Sequence, residues 1–229
     1  MKKYFNFSIW ISFSNKLIQK IIWVAIFGIA MAFVESAVVV YLRIIHYPEG
    51  FRFPLKLITD STIVVELFRE LATLFMIVSV AVITGKRPWE RFAYFLLAFG
   101  VWDIFYYIWL KVLIDWPSSL FERDILFMIP LPWIGPVIAP VSIALLMILI
   151  GIAIASLFDK GQEYKPPLTS YILVLVGAVF ILYSFMLDTG ATLHQQLPRP
   201  YHYELLIGGN ILFMLAFVIS YLKTMKVSV

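Results

Sequence analysis

FAYFLLAFGVWDIFYYIWLKVLI, residues Phe92–Ile114, holds only two charges, Asp103 and Lys111, among aliphatic and aromatic side chains. A helix needs about 20 mostly apolar residues to cross the ~30 Å hydrocarbon layer of a bilayer, and this stretch has that length without an internal Pro. It therefore reads as a transmembrane helix. Five further stretches read the same way: Ile21–Ile45, Ser61–Thr84, Val137–Phe158, Leu168–Leu187 and Glu204–Leu222. The segments between them carry turn and breaker residues, such as His46-Tyr47-Pro48-Glu49-Gly50, Gly85-Lys86-Arg87-Pro88 and Pro198-Arg199-Pro200.

Composition agrees. Of the 229 residues, 62% are hydrophobic and 14% charged, with a mean hydropathy of +0.92. A soluble domain is about 45–50% apolar and about 25% charged, so a soluble enzyme, a secreted domain and a disordered tail are excluded. The chain has no Cys, which removes disulfides, thiolate metal sites and Fe–S clusters. The expected fold class is all-α: a polytopic membrane bundle of six transmembrane helices.

Basic residues set the expected orientation. Lys2, Lys3, Lys16, Lys20, Lys86, Arg87, Arg91, Lys160, Lys165, Lys223 and Lys226 fall on the face that holds both termini; the opposite loops carry only Arg52, Lys56, Arg123 and Arg199. The positive-inside rule then places both termini in the cytoplasm of a cell (inner) membrane protein. Three parts follow: a cytoplasmic interfacial segment over 1–20, one six-span domain over 21–222, and a cytoplasmic tail over 223–229. Residues 116–136 are too apolar for a free loop, yet Pro117, Pro130, Pro132 and Pro136 forbid another span. They predict an outer interfacial helix over 118–128, started by Ser118 with Glu122 and Arg123, and then a Pro-rich return.

Function has to be sought among the charges inside the spans. Each costs roughly 2.5–3.5 kcal/mol on insertion scales, so an intramembrane ionisable group is a candidate functional residue by default. At 1.5 Å rise per residue, Glu35, Glu70 and Asp103 all lie about 15 Å below the outer ends of three consecutive spans. These three are the candidate catalytic residues. Glu66, Glu70 and Thr73 share one face of span two beside Arg69, and Asp103, Tyr107 and Lys111 repeat at four-residue spacing in span three beside Tyr106. Glu66, Arg69, Tyr106, Tyr107, Lys111 and, from span six, Asn210 are the candidate substrate-binding residues. The expected chamber lies among spans one, two, three and six, near the midplane and open to the outside.

Two functional classes fit. One is a membrane-embedded enzyme doing acid–base or metal-assisted chemistry on a lipid-phase substrate, with Arg69 and the tyrosines meeting an anionic group. The other is a proton- or cation-coupled small-solute transporter, or an accessory subunit of a membrane complex. A balanced set, Glu35, Glu66, Glu70 and Asp103 against Arg43, Arg69 and Lys111, also suits a purely structural ion-pair network. Asp188, His194, His202 and Glu204 bracket one outer loop and form a weak divalent-metal candidate, because the His spacing is irregular. Nothing in the sequence signals haem, flavin or nucleic acid, and the oligomeric state is open; membrane lipid is the expected partner.

Overall fold

The computed structural model describes residues 13–55, 62–129 and 131–227. The interfacial segment expected over 1–20 lies largely outside these residues. The order is α1 (Asn15–His46), α2 (Thr62–Thr84), α3 (Pro88–Ile114), β1 (Arg123–Phe127), β2 (Trp133–Pro136), α4 (Ile138–Asp159), α5 (Leu168–Met186), α6 (Thr189–Leu193) and α7 (Tyr203–Val227). All but α6 among the helices are long and apolar enough to cross a membrane, six in all, so the chain is an all-α bundle and a multi-pass membrane protein. The expected tail is the last turn of α7, which runs on to Val227.

Each helix starts or stops where local chemistry requires. Ser14 caps α1 by accepting the Leu17 N–H, while its own N–H and hydroxyl donate to the Asp159 carboxylate at 3.0 and 2.5 Å. That contact ties the start of α1 to the end of α4 and satisfies orphan amides. Pro88 opens α3, where its missing N–H costs nothing. In the same turn Glu90 accepts the Lys86 N–H at 2.8 Å and the Lys20 ammonium at 2.9 Å.

Helices in lipid gain nothing from hiding apolar surface, so close backbone approach holds them together. A Cβ on Gly100 would stand 2.5 Å from the Ala144 carbonyl, and one on Gly151 2.6 Å from that of Ala93. These two glycines let α3 and α4 touch. Gly28 of α1 meets Val101 and Ala98 of α3, and Gly177 and Gly209 meet across α5 and α7. Gly28 and Gly151 are each followed four residues on by a buried alanine, Ala32 and Ala155, the small-residue spacing typical of helix seams. Large side chains such as Trp23, Phe68 and Leu175 point outward, as they should where lipid is the solvent.

The connection after α3 is not the interfacial helix expected over 118–128. It is an antiparallel hairpin in which Arg123 faces Pro136, Asp124 faces Gly135, Ile125 faces Ile134 and Phe127 faces Trp133, with a bulge at Ile125–Phe127. Glu122 does reach back to Ser118, accepting its N–H at 2.6 Å and its hydroxyl at 2.7 Å, but it also accepts the Trp116 indole N–H at 2.8 Å. That ties a turn rather than a helical cap. The returning strand pairs the backbone groups that apolar surroundings would otherwise leave unsatisfied.

Candidate functional site

Under the hairpin lies a cavity of about 110 Å³, lined by α1, α2, α3 and β1. Its fourth wall is therefore the hairpin and not the last span. From α1 come Glu35, Val39 and Arg43, at four-residue intervals; from α2, Glu66, Arg69 and Glu70; from α3, Trp102, Asp103, Tyr106 and Tyr107; from the hairpin, Asp124 to Met128. Ser36 sets α1 against α3, its hydroxyl 2.8 Å from the Ala32 carbonyl and 3.0 Å from that of Tyr106. The Trp109 indole N–H adds a second tie to the Ile29 carbonyl at 3.1 Å.

Helix lengths refine the depth. α1 has 32 residues, about 48 Å at 1.5 Å each, so it overshoots the ~30 Å hydrocarbon layer. Counting about 20 residues up from Lys20 in α1 and from Arg91 in α3 places Glu35 and Asp103 roughly 10 Å inside the hairpin-side boundary. The charged groups thus lie in the hairpin-side halves of α1, α2 and α3.

The two guanidinium groups are both committed. Arg69 forms ion pairs with Glu35 and with Glu66, and Glu35 is further held by the Thr73 hydroxyl at 3.0 Å. Arg43 donates to Asp124 at 3.1 Å while the rings of Phe51 and Trp116 cover it at 4.1 and 3.8 Å. Ring contacts of this kind suit a planar, weakly hydrated cation. The Tyr107 hydroxyl also favours the charged form of Asp124. Burial pushes the Asp124 carboxyl up, the Arg43 guanidinium and the Ile125 amide pull it back, and it settles at about 6.

Two carboxylates remain without a cation in contact. Glu70 is almost fully buried and accepts the Met128 N–H through both oxygens at 3.1 Å. Asp103, among the described residues, makes no hydrogen bond or ion pair at all. The cavity therefore gathers five carboxylates, Glu35, Glu66, Glu70, Asp103 and Asp124, against Arg43 and Arg69. That is a formal surplus of three negative charges, where the sequence had promised near balance.

Other expected members lie elsewhere. Lys111 is exposed and paired with Asp115 at 2.6 Å, away from the cavity. Asn210 donates to Ser142 at 3.1 Å, joining α7 to α4. Of the proposed metal candidates, Asp188 pairs with Arg123 at 3.5 Å, His202 with Glu204 at 2.6 Å, and His194 is exposed at the end of α6. Among the described residues no three His, Asp or Glu side chains come together in a way that could hold a metal ion.

Sequence reasoning missed Asp124 and the ring pair Phe51 and Trp116. The available signal was an acid between Arg123 and Ile125 in an otherwise apolar stretch, which a helical reading placed at the surface. Family models, curated proteins and solved structures all fail to match the chain, and its function has to be argued from this cavity.

Proposed function

We propose that this protein is a membrane-embedded enzyme whose acidic cavity carries out acid–base chemistry on the polar end of a lipid-phase substrate. The observation that carries the reading is Asp103. Four carboxylates of the cavity are engaged by Arg69, Arg43, Thr73 or the Met128 amide, and this one faces the cavity without a partner. A carboxylate left free in a polar pocket is the group able to take a proton from a bound heteroatom and return it. Tyr106 and Tyr107 line the same wall and provide hydroxyls for orientation.

The rest of the bundle favours chemistry over transport. Beyond the cavity, Val24, Ala32, Ile77, Ala81, Leu97 and Ile154 belong to a closely packed apolar core. α1, α2 and α3 are continuous helices, without the broken spans on which many transporters build their sites. The surplus of basic residues supports an orientation with both termini in the cytoplasm and with the hairpin and cavity toward the outside of an inner membrane.

The test is open-ended lipid analysis. Purified protein is reconstituted with a total membrane lipid extract and the headgroup profile is followed by mass spectrometry beside protein-free vesicles. One lipid class consumed and one product formed, only with protein, is the expected result. An unchanged profile together with solute flux in the same vesicles would refute it in favour of transport.

A further inference from the structure

We infer that the cavity is built for a primary ammonium group at the head of an amphiphile, and not for a phosphate or other anion. This names the substrate class of the site proposed above and rests on that reading. A guanidinium is the usual partner of an anionic headgroup, but both here already face carboxylates. Arg69 pairs with Glu35 and Glu66, and Arg43 pairs with Asp124 and packs against the rings of Phe51 and Trp116. An anion entering the cavity would add to a formal surplus of three negative charges; an ammonium would reduce it.

Independent features point to the same ligand. Asp124 is 2% exposed and lines the cavity, yet its Oδ2 has no hydrogen-bond partner. Unpartnered donors line the cavity too, Nε and Nη1 of Arg43 and Nε1 of Trp102, but the Arg43 charge is already balanced by Asp124 and the indole is neutral. Buried polar atoms without partners are costly, and a carboxylate oxygen is satisfied only by a donor. Glu70 and Asp103 likewise offer acceptor oxygens with no cation against them. A primary ammonium brings three N–H donors; a trimethylammonium brings the charge but no donor. The rings of Trp102, Tyr106 and Tyr107 line the same space and can face a cation. Among the described residues the acids also do not converge as metal ligands do. That spacing fits an organic cation.

The experiment compares four single-chain probes with one tail and different heads: decylamine, decyltrimethylammonium, decyl phosphate and decanol. Each is titrated into wild-type protein in phosphatidylcholine nanodiscs, and binding is read by native mass spectrometry. The amine, with an ordinary pKa of about 10.4 for such a group, is charged at neutral pH. Decylamine is expected to bind at least tenfold tighter than decanol or decyl phosphate and tighter than the trimethyl analogue. Glu70→Gln and Asp103→Asn should each erase most of that preference. Equal binding of all four probes, or a preference for decyl phosphate, overturns the inference, and the wild-type comparison decides this even if a variant fails to fold. Parity between the amine and its trimethyl analogue also overturns it, since the N–H donors would then play no part. The readout needs no turnover. Ammonium selectivity with no lipid converted removes the enzymatic reading alone, whereas lipid conversion without ammonium selectivity removes this inference alone.

Discussion

The hairpin over the cavity should loosen as pH rises, because the desolvation of Asp124 outweighs its pairing with Arg43. Asp124 is 2% exposed, so solvent does little to screen its charge. Its carboxyl sits at about 6 against an ordinary 3.8. A folded-state value above the unfolded one means that the folded chain holds the proton over this window. The associated stability is then fully present below about 4 and is lost as pH rises through about 6. Two units at 1.36 kcal/mol each amount to something on the order of 3 kcal/mol, or about a hundredfold in a local opening equilibrium. The assay is amide hydrogen exchange across Arg123–Phe127 and Trp133–Pro136 in nanodiscs between pH 4 and 8, corrected for the intrinsic pH dependence of exchange. Asp124→Asn, a neutral isostere, should give a flat profile at the protection wild type reaches in acid. Arg43→Met removes the cation that pulls the carboxyl down, so its midpoint should move above that of wild type. Protection that increases with pH would refute the reasoning, for it would mean that the ion pair stabilises the hairpin more than burial of the charge costs.

Three other outcomes are expected. Gly100→Ala places a methyl group 2.5 Å from the Ala144 carbonyl and should cost about 1–3 kcal/mol by overpacking, lowering the thermal midpoint in detergent by several degrees; an unchanged midpoint would contradict the close contact of α3 and α4. Lys111→Gln should leave probe binding and stability as in wild type, since Lys111 is exposed and paired with Asp115; a loss matching that of Asp103→Asn would return Lys111 to the site. A single cysteine at Arg87 should resist impermeant thiol reagents applied to intact cells, and ready labelling from outside would invert the orientation.

What could be read from the residues depended on the length of chain that carried the signal. The six spans were legible because each is a long apolar run closed by breakers, and no tertiary context was needed to recognise them. Glu35, Glu66, Arg69, Glu70, Asp103, Tyr106 and Tyr107 do share one cavity, as regular helix geometry and matching depths implied. The short elements were not legible. Residues 123–127, two charged and three apolar, form a run too short for helix and strand periodicities to be told apart, and the Ser118–Glu122 spacing imitates a helix start. The hairpin in turn decided which charges belong together. Eight residues along a helix turn about 80° away from the starting face, a step that separates Arg43 from Glu35 and Lys111 from Asp103 alike. Arg43 is drawn back to the cavity by Asp124, Phe51 and Trp116, whereas Lys111 finds Asp115 one turn along its own helix. Neither outcome is visible without the strand, and together they turn an apparent near balance of charge into an acidic surplus.

Whether these carboxylates form a working site or a packing network is tested most directly by Asp103→Asn, with lipid conversion and thermal unfolding measured on the same reconstituted preparation. Asp103 has no partner among the described residues, so its neutral isostere should leave the unfolding midpoint within about a degree or two of wild type, a change of under 1 kcal/mol, while conversion of the lipid substrate is abolished. Full conversion by the variant, or a variant that unfolds or aggregates in step with its loss of conversion, would contradict the account and leave the cluster as an ion-pair network that packs the helices.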